Sequence, residues 1–574
     1  MLDLLITGGD VIDGTGAERR RADVGVKDGT VVAVGDIEEP AARTIDAEGR
    51  VVAPGFVDIH THLDAQAFWD PDLSPSPLHG VTTAVAGNCG FTIAPLSAEA
   101  GSYLMPMLAK VEGMPLRSLR EGVPWNWTTT AEYLDAHEDR LSINVGFMVG
   151  HSAIRRVVMG AAANERVATD DELSLMVQLL RDGLAAGGMG FSTTTSNTHN
   201  DGDGNPVPSR FADKREFLAL ARATGEYEGT SLELLPKGAT DVGPFDEETA
   251  ELMIAMSAIA KRPLNWNVIS PTAKNLDSCL AKLEVGDRAA ARGAKVIGLT
   301  MPVDMKARFS FHAGFVLDVF DGWAAIMNAS TEEKMQALSD PDRRRQLAEQ
   351  AVGTANMKHL AKWHDHVIVE TFAPQNNAYT GRRVGDIAAE LGKDPFDALV
   401  DIALVDELRT TFARGTPDPE RADWEARRAI WNDPRAVIGA SDAGAHLDMI
   451  AAFRYSTGFI QEAVREHRLL PLERAVHMLT AVPARLYGLR DRGVLRQGAR
   501  ADVIVFDEDT IGSKAVGTRF DLPGGAGRLY AEADGISHVI VNGTEIATDG
   551  AYSGRRAGTI LRSGRDTATA TLDL

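Results

Sequence analysis

The chain has 574 residues, a net charge of −22, 44% hydrophobic residues and 24% charged residues. That is the balance of a soluble globular protein with a large core, long enough for roughly two to four domains or for one barrel with an accessory domain. The negative charge argues against nucleic-acid and anionic-lipid partners, and two cysteines, Cys89 and Cys279, exclude a secreted disulfide framework. The first nine residues lack the basic and long apolar regions of a signal peptide, and no apolar run is long enough to span a membrane. A cytoplasmic enzyme is the expectation.

Residues 4–7, 23–27 and 31–34 read as short strands, and Asp28-Gly29 between the last two is a hairpin turn. Residues 501–506 and 537–542 have the same character at the far end, where Asn542-Gly543 is a second hairpin turn. Residues 1–54 and 490–574 are therefore expected to join into one small β-rich, sandwich-like domain. Between them, apolar strand-like runs alternate with helical patterns. The runs are 81–86, 143–149, 188–193, 229–234, 263–269, 295–300 and 436–440; the helical stretches include 170–186, 214–224 and 247–260. This alternation predicts an α/β fold, a (β/α)8 TIM barrel over 55–489. Residues 311–431 are too long for one barrel unit and read as an inserted helical lid or subdomain, with 332–353 and 394–414 helical in pattern.

Three strand ends carry chemistry. The run Pro54-Gly55-Phe56-Val57-Asp58-Ile59-His60-Thr61-His62 ends in two histidines at i, i+2, which on a strand point to one face and make half of a zinc site. Gly80-Val81-Thr82-Thr83-Ala84-Val85-Ala86-Gly87-Asn88-Cys89-Gly90 ends in a cysteine, whose thiolate is a zinc ligand but which is also often just a small buried hydrophobe. Val437-Ile438-Gly439-Ala440-Ser441-Asp442 ends in an acid able to bind a metal and take a proton from water, or simply to make a turn. His364 and His366 repeat the i, i+2 spacing but precede a strand-like run, so they read as solvated or structural. His199, in a polar loop, is a candidate substrate contact.

These motifs resemble the amidohydrolase superfamily, which opens with PGFVDIHTH, and its N-acyl-D-amino-acid deacylase branch, which has the GNCG cysteine. The likeness continues in Val149-Gly150-His151, Gly188-Met189-Gly190-Phe191-Ser192-Thr193 and Ser441-Asp442, and resumes in Pro483-Ala484-Arg485 and in blocks between 489 and 543. The resemblance implies that His60, His62, Cys89 and Asp442 bind zinc, one or two ions or another divalent metal, with Asp442 the general base. It places His151 in the substrate pocket. Deacylases of this branch carry further histidines in THMR-like and SHHK motifs on the fifth and sixth strands. Here those stretches are Thr230-Ser231-Leu232-Glu233-Leu234-Leu235 and Asn265-Trp266-Asn267-Val268-Ile269. Two histidines are missing, as is the lysine that helps relatives bind the substrate carboxylate. Glu233 and Asn267 are the polar residues placed to substitute, and His446 is a further candidate for metal or substrate.

The implied activity is hydrolysis of an amide-type C–N bond in a small molecule, an N-acyl amino acid or related amide. A cyclic amide or imide, carbamoyl or ester hydrolase on the same site is the alternative within enzymes; a degenerate barrel that binds ligand without turnover is the alternative outside them. A second copy of the chain is an open partner class.

Overall fold

The computed structural model describes residues 1–314, 316–354, 358–415 and 417–572. The two termini share one nine-stranded sheet. Val51–Pro54 lies between Leu2–Val11 on one side and Val503–Phe506 on the other, and the sheet continues through Ile536–Val541 and Thr544–Thr548. Asp28 and Gly29 have φ of 50° and 70°, and Asn542 and Gly543 have 46° and 77°. Two successive positive values are what tight hairpins between right-twisted strands require, which is why Asp-Gly and Asn-Gly mark them in the sequence. Alternate residues of these strands, among them Leu4, Ile6, Val24, Val26, Val52, Val503 and Val505, form the core under the sheet.

The middle of the chain is a mixed α/β region of parallel strands. Phe56–Thr61, Val81–Ala86 and Asn144–Phe147 pair in that order. Val149–Gly150 pairs with Gly190–Thr194, and the order then runs through Ser231–Leu235, Leu264–Ile269, Val296–Thr300 and Ala436–Ile438. Past Ala436–Ile438, the Asp442 amide donates to His60 O at 3.0 Å and the His62 amide to Ala443 O at 2.8 Å, which brings the last strand's end beside the first. Helices return the chain between strands. Asp170–Ala185 starts on a Thr169/Glu172 capping box, and Asp213 and Asp246 cap Lys214–Thr224 and Glu247–Ala260.

Several segments differ from the sequence expectation. Ile560–Leu561 leaves the terminal sheet and pairs parallel with Asn144–Phe147, so the C-terminal stretch is not wholly in the β-rich unit. The insertion is not purely helical: Arg308–Phe309, Thr411–Arg414 and His366–Glu370 form an antiparallel sheet beside a separate core of Phe311, Trp323, Trp363, Phe396 and Phe412. Residues 394–414 are thus a helix, Pro395–Val405, followed by a strand. The change of direction falls at Glu407 and Leu408, both at positive φ. At its far end Arg421–Trp431 contributes Ile430 to the core under the parallel strands rather than to the insertion. Residues 332–353 are two helices, broken at Asp340 and Pro341, where Asp340 caps the second and proline starts it.

Candidate metal centre

The strand Phe56–Thr61 is buried along its whole length and delivers His60 and His62 to one place, with ring centroids 5.5 Å apart. Cys89 arrives from the turn after Val81–Ala86. It sits at φ 56°, followed by Gly90 at 76° and preceded, one residue before Asn88, by Gly87 at 81°, a turn rich in left-handed backbone that carries the thiol inward. A side chain on Gly90 would also come within 3.0 Å of Thr193 Cα. A cysteine in this conformation is unusual, and such backbone gathers at functional sites. Asp442 is likewise left-handed, at φ 62°.

The donor atoms of His60, His62 and Cys89 all lie within 4.8 Å of one another. Asp442 Oδ1 is 3.0 Å from His62 Nε2 and 3.5 Å from His60 Nε2, and Cys89 Sγ is 3.7 Å from His60 Nε2. Asn267 Nδ2 stands 3.3 Å from His60 Nε2 and 3.7 Å from Cys89 Sγ. Glu233 accepts the Cys89 amide at 2.7 Å, and its other oxygen is 4.0 Å from both His60 Nδ1 and Cys89 Sγ. His446 Nε2 is 3.8 Å from Asp442 Oδ2. His199 is in the neighbourhood, its ring 4.8 Å from that of Phe91. Only Asp442, 28% exposed, and His446, 19% exposed, open this group to solvent.

His151 is not part of it. Both ring nitrogens are used elsewhere, Nδ1 at 2.8 Å from Thr193 Oγ1 and Nε2 at 2.7 Å from Glu216 Oε1, with Arg155 on the same carboxylate. The expected pocket histidine is thus locked in a buried ion network. His366 is buried in the insertion against Trp363, and His364 is exposed.

The residues that the sequence did not point to are those behind the group. Glu112, buried at the end of the helix Ala98–Val111, has Oε1 3.5 Å from His62 Nδ1. Ser441 donates to Asp58 at 2.7 Å and ties the strand bearing His60 to the segment bearing Asp442. No local pattern marks Glu112, because its contact is made 50 residues away in sequence; its only signal is a lone acid in an apolar stretch.

The electrostatics follow from burial among like and unlike charges. Burial works against protonating His62, but Glu112 and Asp442 outweigh it and raise the ring to about 10. Burial also opposes ionisation of Asp442, yet His60 and His62 hold it well below the usual carboxylate range. Burial pushes Glu233 up to about 8 against the pull of the Cys89 amide, and burial with Glu233 raises the Cys89 thiol. The side chains therefore form a largely buried pocket in which imidazole nitrogens, a carboxylate and a thiol face one point. Nitrogen, oxygen and sulfur donors in this arrangement suit zinc. The one short contact, Asp442 Oδ1 to His62 Nε2, needs a proton that a divalent cation would replace. The residues present fit a metal ion.

A family model for the amidohydrolase family matches residues 43–547. The chain belongs to the amidohydrolase family. Within it, this amidohydrolase lies in the D-aminoacylase-like branch. It is 31% identical to the N-acyl-D-glutamate deacylase of Alcaligenes xylosoxydans xylosoxydans over 98% of this chain and 96% of that one. It is 27% identical to the D-aminoacylase of the same organism over 97% of each. Among solved structures, the N-acyl-D-glutamate deacylase of Bordetella bronchiseptica, complexed with zinc and a phosphonate mimic of the tetrahedral intermediate, is similar at 29% identity and a TM-score of 0.65, covering 98% of this amidohydrolase and 99% of the other chain. A D-aminoacylase described as having a binuclear metal centre matches at 27% identity and the same TM-score, covering 98% and 100%.

Proposed function

We propose that the chain is a zinc-dependent hydrolase of an amide-type C–N bond in a small N-acyl amino acid or related amide. The observation that carries this reading is the convergence of the His60, His62 and Cys89 donors within 4.8 Å, with Asp442 Oδ1 3.0 Å from His62 Nε2. His60, His62, Cys89 and Asp442 hold the cation in this reading, and Glu233 supplies a carboxylate where relatives have a histidine. Asn267, a neutral amide, is suited to hold a water or the substrate rather than the metal. The parallel strands from Phe56–Thr61 to Ala436–Ile438 close as a (β/α)8 barrel, with the metal at their C-terminal ends. Residues 1–54 and most of 490–574 form the accessory β domain, and the insertion covers the metal face.

A bound divalent cation would polarise the scissile carbonyl and acidify the attacking water. Asp442, ionised and partly open to solvent, accepts the water proton and passes it to the leaving nitrogen. Glu112 stands behind His62, its carboxylate 3.5 Å from Nδ1, close enough to act on the ring by charge. No helix among the described residues is long and apolar enough to cross a membrane, and both cysteines are free, which accords with work in the cytoplasm.

The test is a hydrolysis screen of the zinc-loaded protein against N-acyl amino acids of both hands and cyclic imides, reading amine release. Chelator-sensitive turnover of an N-acyl compound supports the reading. Cleavage of imides alone moves the substrate to cyclic amides, and no turnover of any class points to a ligand-binding barrel.

A further inference from the structure

A cavity of about 880 Å3 lies between the segment after Ala98–Val111, the insertion and the loop 518–527. Its lining includes Gly113, the residue after Glu112, and Asp448, two residues past His446. Its size is in the upper range of small-molecule sites. In a chain of net charge −22, its charged lining is mostly cationic: Lys110, Arg117, Arg120, Lys334 and Arg409 face it, against Asp318 and Asp448.

Not all of these charges are available. Lys110 is paired with Asp318 at 2.6 Å, and Arg117 with Glu121 at 2.7 Å. Arg409 lies over the Phe372 and Phe520 rings, 5.3 and 5.7 Å from their centroids, and leans on Glu407 at 3.4 Å. Lys334 is different. It is 4% exposed, and among the described residues no carboxylate lies within 4.0 Å of its ammonium. One of its three N–H donors goes to His312 O at 2.6 Å. Asp448 and Asp318 are near enough to favour its charge but make no ion pair with it. Its remaining donors, with both carboxylates beyond ion-pair distance, are left to face the cavity. Arg120, exposed at the rim, also has no carboxylate partner among the described residues.

We propose that this cavity is an anion subsite in which Lys334, with Arg120 at the rim, binds a carboxylate or phosphate carried by the substrate at the end remote from the scissile bond. That the anion belongs to a substrate rests on the proposed hydrolase reading; that the cavity binds an anion does not. Lys334 comes from the insertion and Arg120 from the segment after Ala98–Val111, so the subsite is drawn from parts of the chain other than the sixth-strand motif.

The test is calorimetric titration of the intact zinc-loaded protein with three probes: glutarate, inorganic phosphate and neutral glutaramide. Glutarate or phosphate is expected to bind at least about tenfold tighter than glutaramide, and the tighter of the two identifies the anion. Lys334→Met is expected to weaken that binding about 10- to 100-fold, the range of a charge-assisted hydrogen bond. Lys334→Arg should keep it within about threefold, and zinc content should not change in either. If Lys334→Met does not fold, Arg120→Gln, on an exposed position, is expected to weaken binding at least about threefold. Anions that bind no better than glutaramide overturn the proposal, as does unchanged affinity in folded Lys334→Met, or in Arg120→Gln where it serves as the substitute. Anion binding that depends on Lys334 in a protein without hydrolytic activity leaves the subsite standing and removes the hydrolase reading.

Discussion

Asp442→Asn separates the chemistry of the centre from its architecture. The Asp442 backbone is left-handed at φ 62°, a conformation that asparagine tolerates as well as aspartate, and its amide bond to His60 O does not involve the side chain. The protein should therefore fold with a stability change within about 1 kcal/mol. What is lost is the charge 3.0 Å from His62 Nε2 and 3.5 Å from His60 Nε2, together with the proton acceptor. General-base catalysis contributes about 10²–10⁴-fold, or about 3–5 kcal/mol of barrier, and loss of a charged ligand adds to it. The expected outcome is a kcat lowered at least about 10²-fold at saturating zinc, with an unchanged circular dichroism spectrum. Near-normal turnover by this variant would falsify the role given to Asp442.

Three further outcomes follow from named contacts. Glu233→Gln removes the carboxylate 4.0 Å from His60 Nδ1 and Cys89 Sγ; if Glu233 stands in for a lost histidine, elemental analysis should show reduced metal, and full retention refutes that substitution. Glu216→Ala leaves Arg155 and His151 buried without their carboxylate and should cost about 3–5 kcal/mol in a denaturant titration; a loss under about 1 kcal/mol would mean the network is not structural. Burial lowers His79 to about 4 from 6.5, so the unfolded chain binds the extra proton between those values. The His79 contribution should therefore be full above about pH 6.5 and be lost towards pH 4, by up to about 3 kcal/mol at about 1.4 per pH unit, and His79→Gln should make the slope of stability in that window shallower; an unchanged slope contradicts it.

The parts of the molecule legible in the sequence are those fixed by local chemistry. Asp28-Gly29 and Asn542-Gly543 announce hairpins because few other pairs accept two positive φ values. His60 and His62 fall on one face because a strand has a period of two. Cys89 was ambiguous alone; the left-handed turn that aims it inward shows only in three dimensions. Glu112, Asp58 and Lys334 act through contacts with distant segments, and a lone acid or lysine looks the same whether it lies on a surface or behind a site. His151 follows a strand end as the pocket residues do, but Glu216 and Thr193, brought by other elements, draw its ring away. In the insertion, the run after His364 already reads as a strand and is His366–Glu370, whereas Thr411–Arg414 continues a helical pattern without a strong breaker, and Ile560–Leu561 is too short to show a period.

The central claim is that His60, His62, Cys89 and Asp442 form a metal centre. The measurement that bears on it most directly is the zinc content of the purified, buffer-exchanged chain beside that of His60→Ala. About one zinc or more per wild-type chain, falling to a small fraction in the variant while the fold is retained, is the result expected. A wild-type chain that holds no zinc or other divalent metal, or one whose metal survives loss of His60, contradicts the account.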